Sequence, residues 1–264
     1  MLGLRLGRGA RALITTTPRP IGLLRRLVGA PDVAKTNGRT QDNDFLEPDF
    51  LAAVTDRYGG TRLGRQELDG ELIEEVEGAL WTRALIEKCR ASAPETLTRV
   101  LIGVDPPVSA SGDACGIVAC GLGGDGLGYV LGDHSVSGLS PEGWARAVVG
   151  AAETWEADRI IVETNQGGEM VESVLRSVDC ALPVKPVRAR FGKAKRAEPV
   201  SAQFARGKAR FAGAFPELED ELTGLTGGGG YEGPGRSPDR ADAMVWAMAE
   251  LLLGREKTRR VRGL

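Results

Sequence analysis

A chain of 264 residues, 42% of them hydrophobic and with a formal charge of −2, is long enough for one large domain whose core needs neither disulfides nor a structural metal. Its four cysteines, Cys89, Cys115, Cys120 and Cys180, form no CxxC pair, and the one histidine is His134, which argues against a zinc site. No apolar run approaches the roughly 18–20 residues that span a bilayer, and the N-terminus has no signal-peptide core, so a cytoplasmic protein with no membrane partner is expected.

In chain order, ALIT at 12–15 predicts a short strand and IGLLRRLVG at 21–29 a helix. A second helix is predicted over residues 46–58, opened by Asp44 or Glu47 with Pro48 in its first turn. Residues 59–94 read as a glycine-jointed connector ending in a short amphipathic helix, and Ala93-Pro94 marks the entry to a new domain. TRVLIGVD, CGIVACGLG and LGYVLGDHSV then predict three consecutive strands joined by short turns, most simply antiparallel. Ser140-Pro141-Glu142 opens a helix to about Glu156.

ADRIIVETN is apolar enough for a strand buried on both faces. It is followed by the helix GGEMVESVLRSV, the strand LPVKPVRA, a basic helix over 198–207 and a short helix in FPELEDELTGL. A glycine-rich loop at 227–235 precedes a last helix from about Ser237-Pro238 to Leu253. Three antiparallel strands followed by parallel strands with helical crossovers describe an RNase H-like mixed α/β sheet flanked by helices.

Acidic residues fall at particular points of this frame. Asp105 ends the first strand, where Pro106 and Pro107 turn the chain away. Glu163 ends the strand RIIVE, which this topology places beside the first. Asp239 and Asp242 lie three apart in the first turn of the last helix, hence on one face. An acid in a first turn also serves the helix dipole, but Asp242 heads the apolar AMVWAMA and needs a partner if buried. Carboxylates converging in this way repel one another and require a cation among them. With only oxygen ligands on offer, Mg²⁺ or Mn²⁺ suits the set, and two such ions can promote phosphodiester hydrolysis.

The segments VLIGVDPP, IIVETNQGGEMV and SPDRADAMVWAMAEL resemble the nuclease motifs of phage and gene-transfer-agent terminase large subunits. TRLGRQELDGELIEEVEGALW resembles the segment joining their ATPase and nuclease domains, and ITTTPRP their ATPase coupling segment. The resemblance implies a RuvC-like nuclease that cuts double-stranded DNA during packaging, with the small terminase subunit and the portal or capsid as partners in the bacterial host cytoplasm. It implies Asp105, Glu163 and Asp242 as catalytic metal ligands for two Mg²⁺ or Mn²⁺ ions, with Asp239 as a further ligand. It also implies residues 1–66 as a small α/β remnant of the ATPase domain, 67–94 as connector and 95–258 as nuclease. No G-x-x-x-x-G-K-[ST] occurs, so no ATP hydrolysis is expected from this chain alone.

The basic stretch from Lys185 to Arg210 is expected to line a groove beside the acids. Arg188, Arg190, Lys193, Lys195 and Arg196 would hold phosphates there with little sequence preference. Gln166 and Gly167 would allow a close backbone approach to DNA or simply turn the chain. His134 is the weaker candidate for a catalytic group. Competing readings are a RuvC-like junction resolvase, against which the connector argues, and a catalytically silent DNA- or capsid-docking module. An actin-like ATPase would need phosphate loops that are not evident.

Overall fold

The computed structural model describes residues 12–107, 114–164, 168–178 and 183–254, with backbone only at 168–170. The chain forms two compact units, Met1–Glu74 and Glu75–Leu264. The division falls inside the connector.

The first unit contains α1 (Gly22–Gly29), α2 (Pro48–Tyr58) and α3 (Arg62–Glu67). Pro48 takes the first helical position of α2 after Glu47, as its fixed φ favours. Thr61 caps α3 by accepting the Gly64 N–H at 2.9 Å. Arg25 pairs with the Glu74 carboxylate, and Arg62 donates to the Glu74 carbonyl at 2.7 Å. The strand expected at 12–15 does not form. The described residues of this unit contain no strand for it to pair with, and Leu13 and Ile14 are exposed. The described part of this unit is therefore helical rather than α/β.

The second unit opens with α4 (Arg83–Lys88) and is built on a seven-stranded sheet. β1 (Leu97–Asp105), β2 (Ala114–Gly123) and β3 (Gly128–Asp133) are successive antiparallel neighbours, as the short turns predict. β5 (Arg159–Glu163) lies parallel to β1, and β6 (Val184–Val187) parallel to β5. β7 (Ala209–Phe211) adds a parallel strand beyond β3, and β4 (Val136–Ser137) pairs with β2. β7 was not predicted, because three residues are too few to display a period of two.

Both faces of the sheet are covered, which is why its central strands read as continuous apolar runs. Val100, Ile102 and Val104 pack with α5 (Pro141–Thr154) and α6 (Gly168–Ser177). On the other face, Leu101, Val118, Cys120 and Val130 share a core with α4, α7 (Lys193–Ala205), α8 (Pro216–Gly224) and α9 (Asp239–Leu252). Trp81 and Ile86 are fully buried in that second core, so the end of the connector is part of this unit's interior. No helix among the described residues is long and apolar enough to cross a membrane.

α7 begins at Lys193, five residues before its predicted start. Pro199 lies inside the helix. Lacking an N–H, it leaves the carbonyl four residues back without its helical partner. The longer helix matters because it carries Lys193 and Arg196, three apart and on one face.

Candidate active site

Three elements deliver carboxylates to one place. The parallel register pairs Val104 with Val162, so Asp105 and Glu163 follow at adjacent strand ends. The third element, α9, packs directly on the sheet because β1 and β2 present glycines to it. A Cβ on Gly103 would lie 2.0 Å from the Ala243 carbonyl oxygen, and one on Gly116 would lie 2.0 Å from that of Asp239. No other residue allows this approach, which lowers the acidic first turn of α9 onto the end of β1. Carboxylate oxygens of Asp105, Glu163 and Asp242 lie within 4.8 Å of one another, and all three residues are at most 9% exposed.

Two cations from α7 hold these acids together. Lys193 Nζ donates to Asp105 Oδ2 at 2.7 Å, to Asp239 Oδ1 at 2.9 Å and to Ser237 Oγ at 2.7 Å. It also lies 3.5 Å from Asp242 Oδ2. Arg196 Nε donates to Asp242 Oδ1 at 2.9 Å, while Nη2 reaches both Asp242 Oδ2 and, at 2.9 Å, Glu163 Oε2. The guanidinium sits 4.9 Å from the centroid of the Trp246 ring, and the Trp246 indole N–H donates to Glu163 at 2.7 Å.

Burial and the neighbouring Asp242 charge push Asp105 well above the usual carboxylate range, against the pull of Lys193. Glu163 is raised for the same two reasons, partly offset by Trp246 and Arg196. Burial works against the charge on Lys193, but Asp105, Asp242 and Asp239 outweigh it and raise its pKa. A buried acid cluster that draws protons and cations in this way has the chemistry of a hard-metal site.

A further layer sets the position of α9. Glu221 accepts the Ala241 backbone N–H at 3.0 Å and lies 3.4 Å from Arg240, which in turn pairs with Asp133 at 3.1 Å. Burial pushes Glu221 up to about 7 despite these contacts. Two residues earlier on α8, fully buried Glu219 takes Arg90 on both oxygens, at 2.6 and 2.7 Å, and Arg83 at 2.5 Å.

The structure thus brings Asp105, Glu163 and Asp242 together and places Asp239 beside them through Lys193. The basic stretch from Lys185 to Arg210 is spread over several elements. Lys193 and Arg196 are inside the acid cluster, and Lys185, on the β6 edge of the sheet, pairs with Glu250 at 2.6 Å. Arg210 is on β7, at the opposite edge. Arg188, Arg190 and Lys195 stay exposed around the start of α7. Gln166 and Gly167 lie outside the described residues. His134 stands apart from the acids, its Nε2 accepting the Trp155 indole N–H at 2.8 Å. Trp246 packs against the core and is also a hydrogen-bond donor to Glu163. The sequence signal for it was its place one turn below Asp242.

The sequence matches the family model of the Terminase RNaseH-like domain over residues 102–251. The large terminase of bacteriophage HK97 has a similar structure, with a TM-score of 0.52 at 12% identity, over 77% of this chain and 50% of that one. This chain therefore spans about half the length of that protein. The large terminase nuclease of thermophilic phage G20c aligns with a TM-score of 0.49 at 13% identity, over 66% of this chain and 98% of that one. No curated protein matches the sequence. A mixed sheet with three antiparallel and then parallel strands, acids at the ends of β1 and β5 and at the head of α9, and a family match over that whole region lead to one conclusion: this chain belongs to the Terminase RNaseH-like domain family.

Proposed function

We propose that this chain is a metal-dependent endonuclease that cuts double-stranded DNA as the nuclease part of a DNA-packaging terminase. The observation that carries this is the buried Asp105–Glu163–Asp242 cluster, whose oxygens converge within 4.8 Å from two strand ends and a helix head. Asp105, Glu163 and Asp242 would hold two Mg²⁺ or Mn²⁺ ions, with Asp239 as a further ligand. Such ions supply an activated water and stabilise the leaving oxygen of a phosphodiester.

The chain's own residues do the rest. The strand ends fix Asp105 and Glu163 on a rigid sheet, and Gly103 and Gly116 set the depth of Asp242. Lys193 orients Asp105 and Asp239, while Arg196 and Trp246 orient Glu163 and Asp242. Exposed Arg188, Arg190 and Lys195 hold phosphates of the strand, contributing affinity with little sequence preference. The small terminase subunit and the portal or capsid are the partners this role implies. ATP hydrolysis is not part of it, because the chain carries no G-x-x-x-x-G-K-[ST].

Incubation with supercoiled plasmid in Mg²⁺, Mn²⁺ or EDTA, beside Asp105→Asn, tests the proposal. Cutting is expected with either metal, none in EDTA, and a loss of at least a hundredfold in the variant, on the order expected when a metal ligand is removed. Normal DNA binding without cutting under any condition would favour the silent docking module. Cutting that persists in Asp105→Asn would sink the assigned site.

A further inference from the structure

We propose that Phe191 is a stacking platform for an unpaired nucleobase at the mouth of the acid cluster, so that the site grips an open strand more tightly than intact duplex. This rests on the nuclease assignment above and adds to it the form of DNA that the site prefers. Phe191 lies between β6 and α7 and is 58% exposed. Phe204, Phe211 and Phe215, the other phenylalanines of this unit, are buried or partly buried in the core.

A single exposed apolar residue is ordinary in itself. Three further features distinguish this one. First, its backbone is tied to the acids: Arg196 Nη1 donates to the Phe191 carbonyl at 2.9 Å, and the same guanidinium binds Glu163 and Asp242. The backbone that carries the ring is therefore anchored beside the site. Second, its neighbours Arg188, Arg190 and Lys195 are exposed cations that pair with no carboxylate among the described residues. Third, the Lys195 ammonium lies 4.9 Å from the ring centroid, so cation–π contact steadies the ring while more than half of the residue stays open to solvent.

A π face among unpaired cations matches the chemistry of a nucleic-acid strand, with phosphates for Arg188, Arg190 and Lys195 and a base for the ring. Intact duplex keeps its bases stacked on one another and offers the ring no face. A nicked, frayed or kinked strand does. Intact duplex would be held by the cations alone, and an opened strand by the cations and the ring together.

The test is fluorescence anisotropy on the full chain in Ca²⁺. One probe is a labelled single-stranded oligonucleotide and the other is a blunt duplex of the same sequence. Phe191→Ala is expected to weaken single-strand binding roughly tenfold, the scale of one lost base–aromatic stack, and to leave duplex binding within about twofold. Phe191→Leu keeps apolar bulk without a π face and should behave like alanine, whereas Phe191→Trp should bind like the parent. Equal losses on both probes, no loss, a leucine variant that binds like the parent, a parent chain that binds neither probe, or a fall of several degrees in Tm would each overturn the proposal. Because the readout is binding, failure of the plasmid assay would remove the nuclease assignment without mimicking any of these results.

Discussion

At the scale of single residues, the site is a balance of opposite charges. Four buried acids, Asp105, Glu163, Asp239 and Asp242, face two cations, Lys193 and Arg196. Removing one partner of a buried ion pair costs about 3–5 kcal/mol, because the charge left behind is neither solvated nor compensated. Lys193→Met should therefore lower Tm in EDTA by roughly 5–10 °C. Millimolar Mn²⁺ should restore much of the loss, since a divalent ion that binds the folded state supplies the missing charge. Thermal unfolding with and without Mn²⁺ measures this, and an equal drop in both conditions would mean that Lys193 is not standing where a metal ion goes. The acids were legible in the sequence because each sits at an element end, where a side chain points into a groove. Lys193 and Arg196 were read as phosphate contacts, because a basic run in the sequence does not show which of its members turn toward the acids.

At the scale of elements, α9 is held from two sides. The glycines of β1 and β2 admit it from below, and Glu221 on α8 fastens its first turn through the Ala241 N–H. The helix α8 is in turn fixed by Arg83 and Arg90, which lie in and just after α4 and hold fully buried Glu219. The family match begins only at residue 102, so this support lies outside it. A chain starting at Glu75 keeps the whole second unit and is the reference. One starting at Glu95 loses Trp81, Ile86 and both arginines, leaves Glu219 buried without a cation, and should melt at least 10 °C lower or fail to fold, as expected from several kcal/mol of lost pairing and packing. Equal melting temperatures would show that α4 is dispensable. The periodicity of α9 and the apolar runs of β1 to β3 and β5 made these elements readable. The role of α4 was not, because its contacts reach across some 130 positions of sequence to Glu219.

At the scale of the whole molecule, a net charge of −2 describes neither end of the chemistry. Negative charge is gathered at the ends of β1 and β5 and the head of α9, and exposed positive charge surrounds the start of α7. The basic stretch is continuous in sequence and divided in space, because α7 carries the chain from β6 at one sheet edge to β7 at the other. No composition profile could show that split, since it depends on which strands become neighbours. The same topology is what makes the acid cluster possible, by setting β5 beside β1 in parallel register. Calorimetric titration of Mn²⁺ into the purified chain, beside Asp242→Asn, tests the central claim most directly. Two bound ions per chain, with at least one lost in the variant, is the result expected of a two-ion nuclease site. No measurable binding, or binding unchanged by Asp242→Asn, would contradict it.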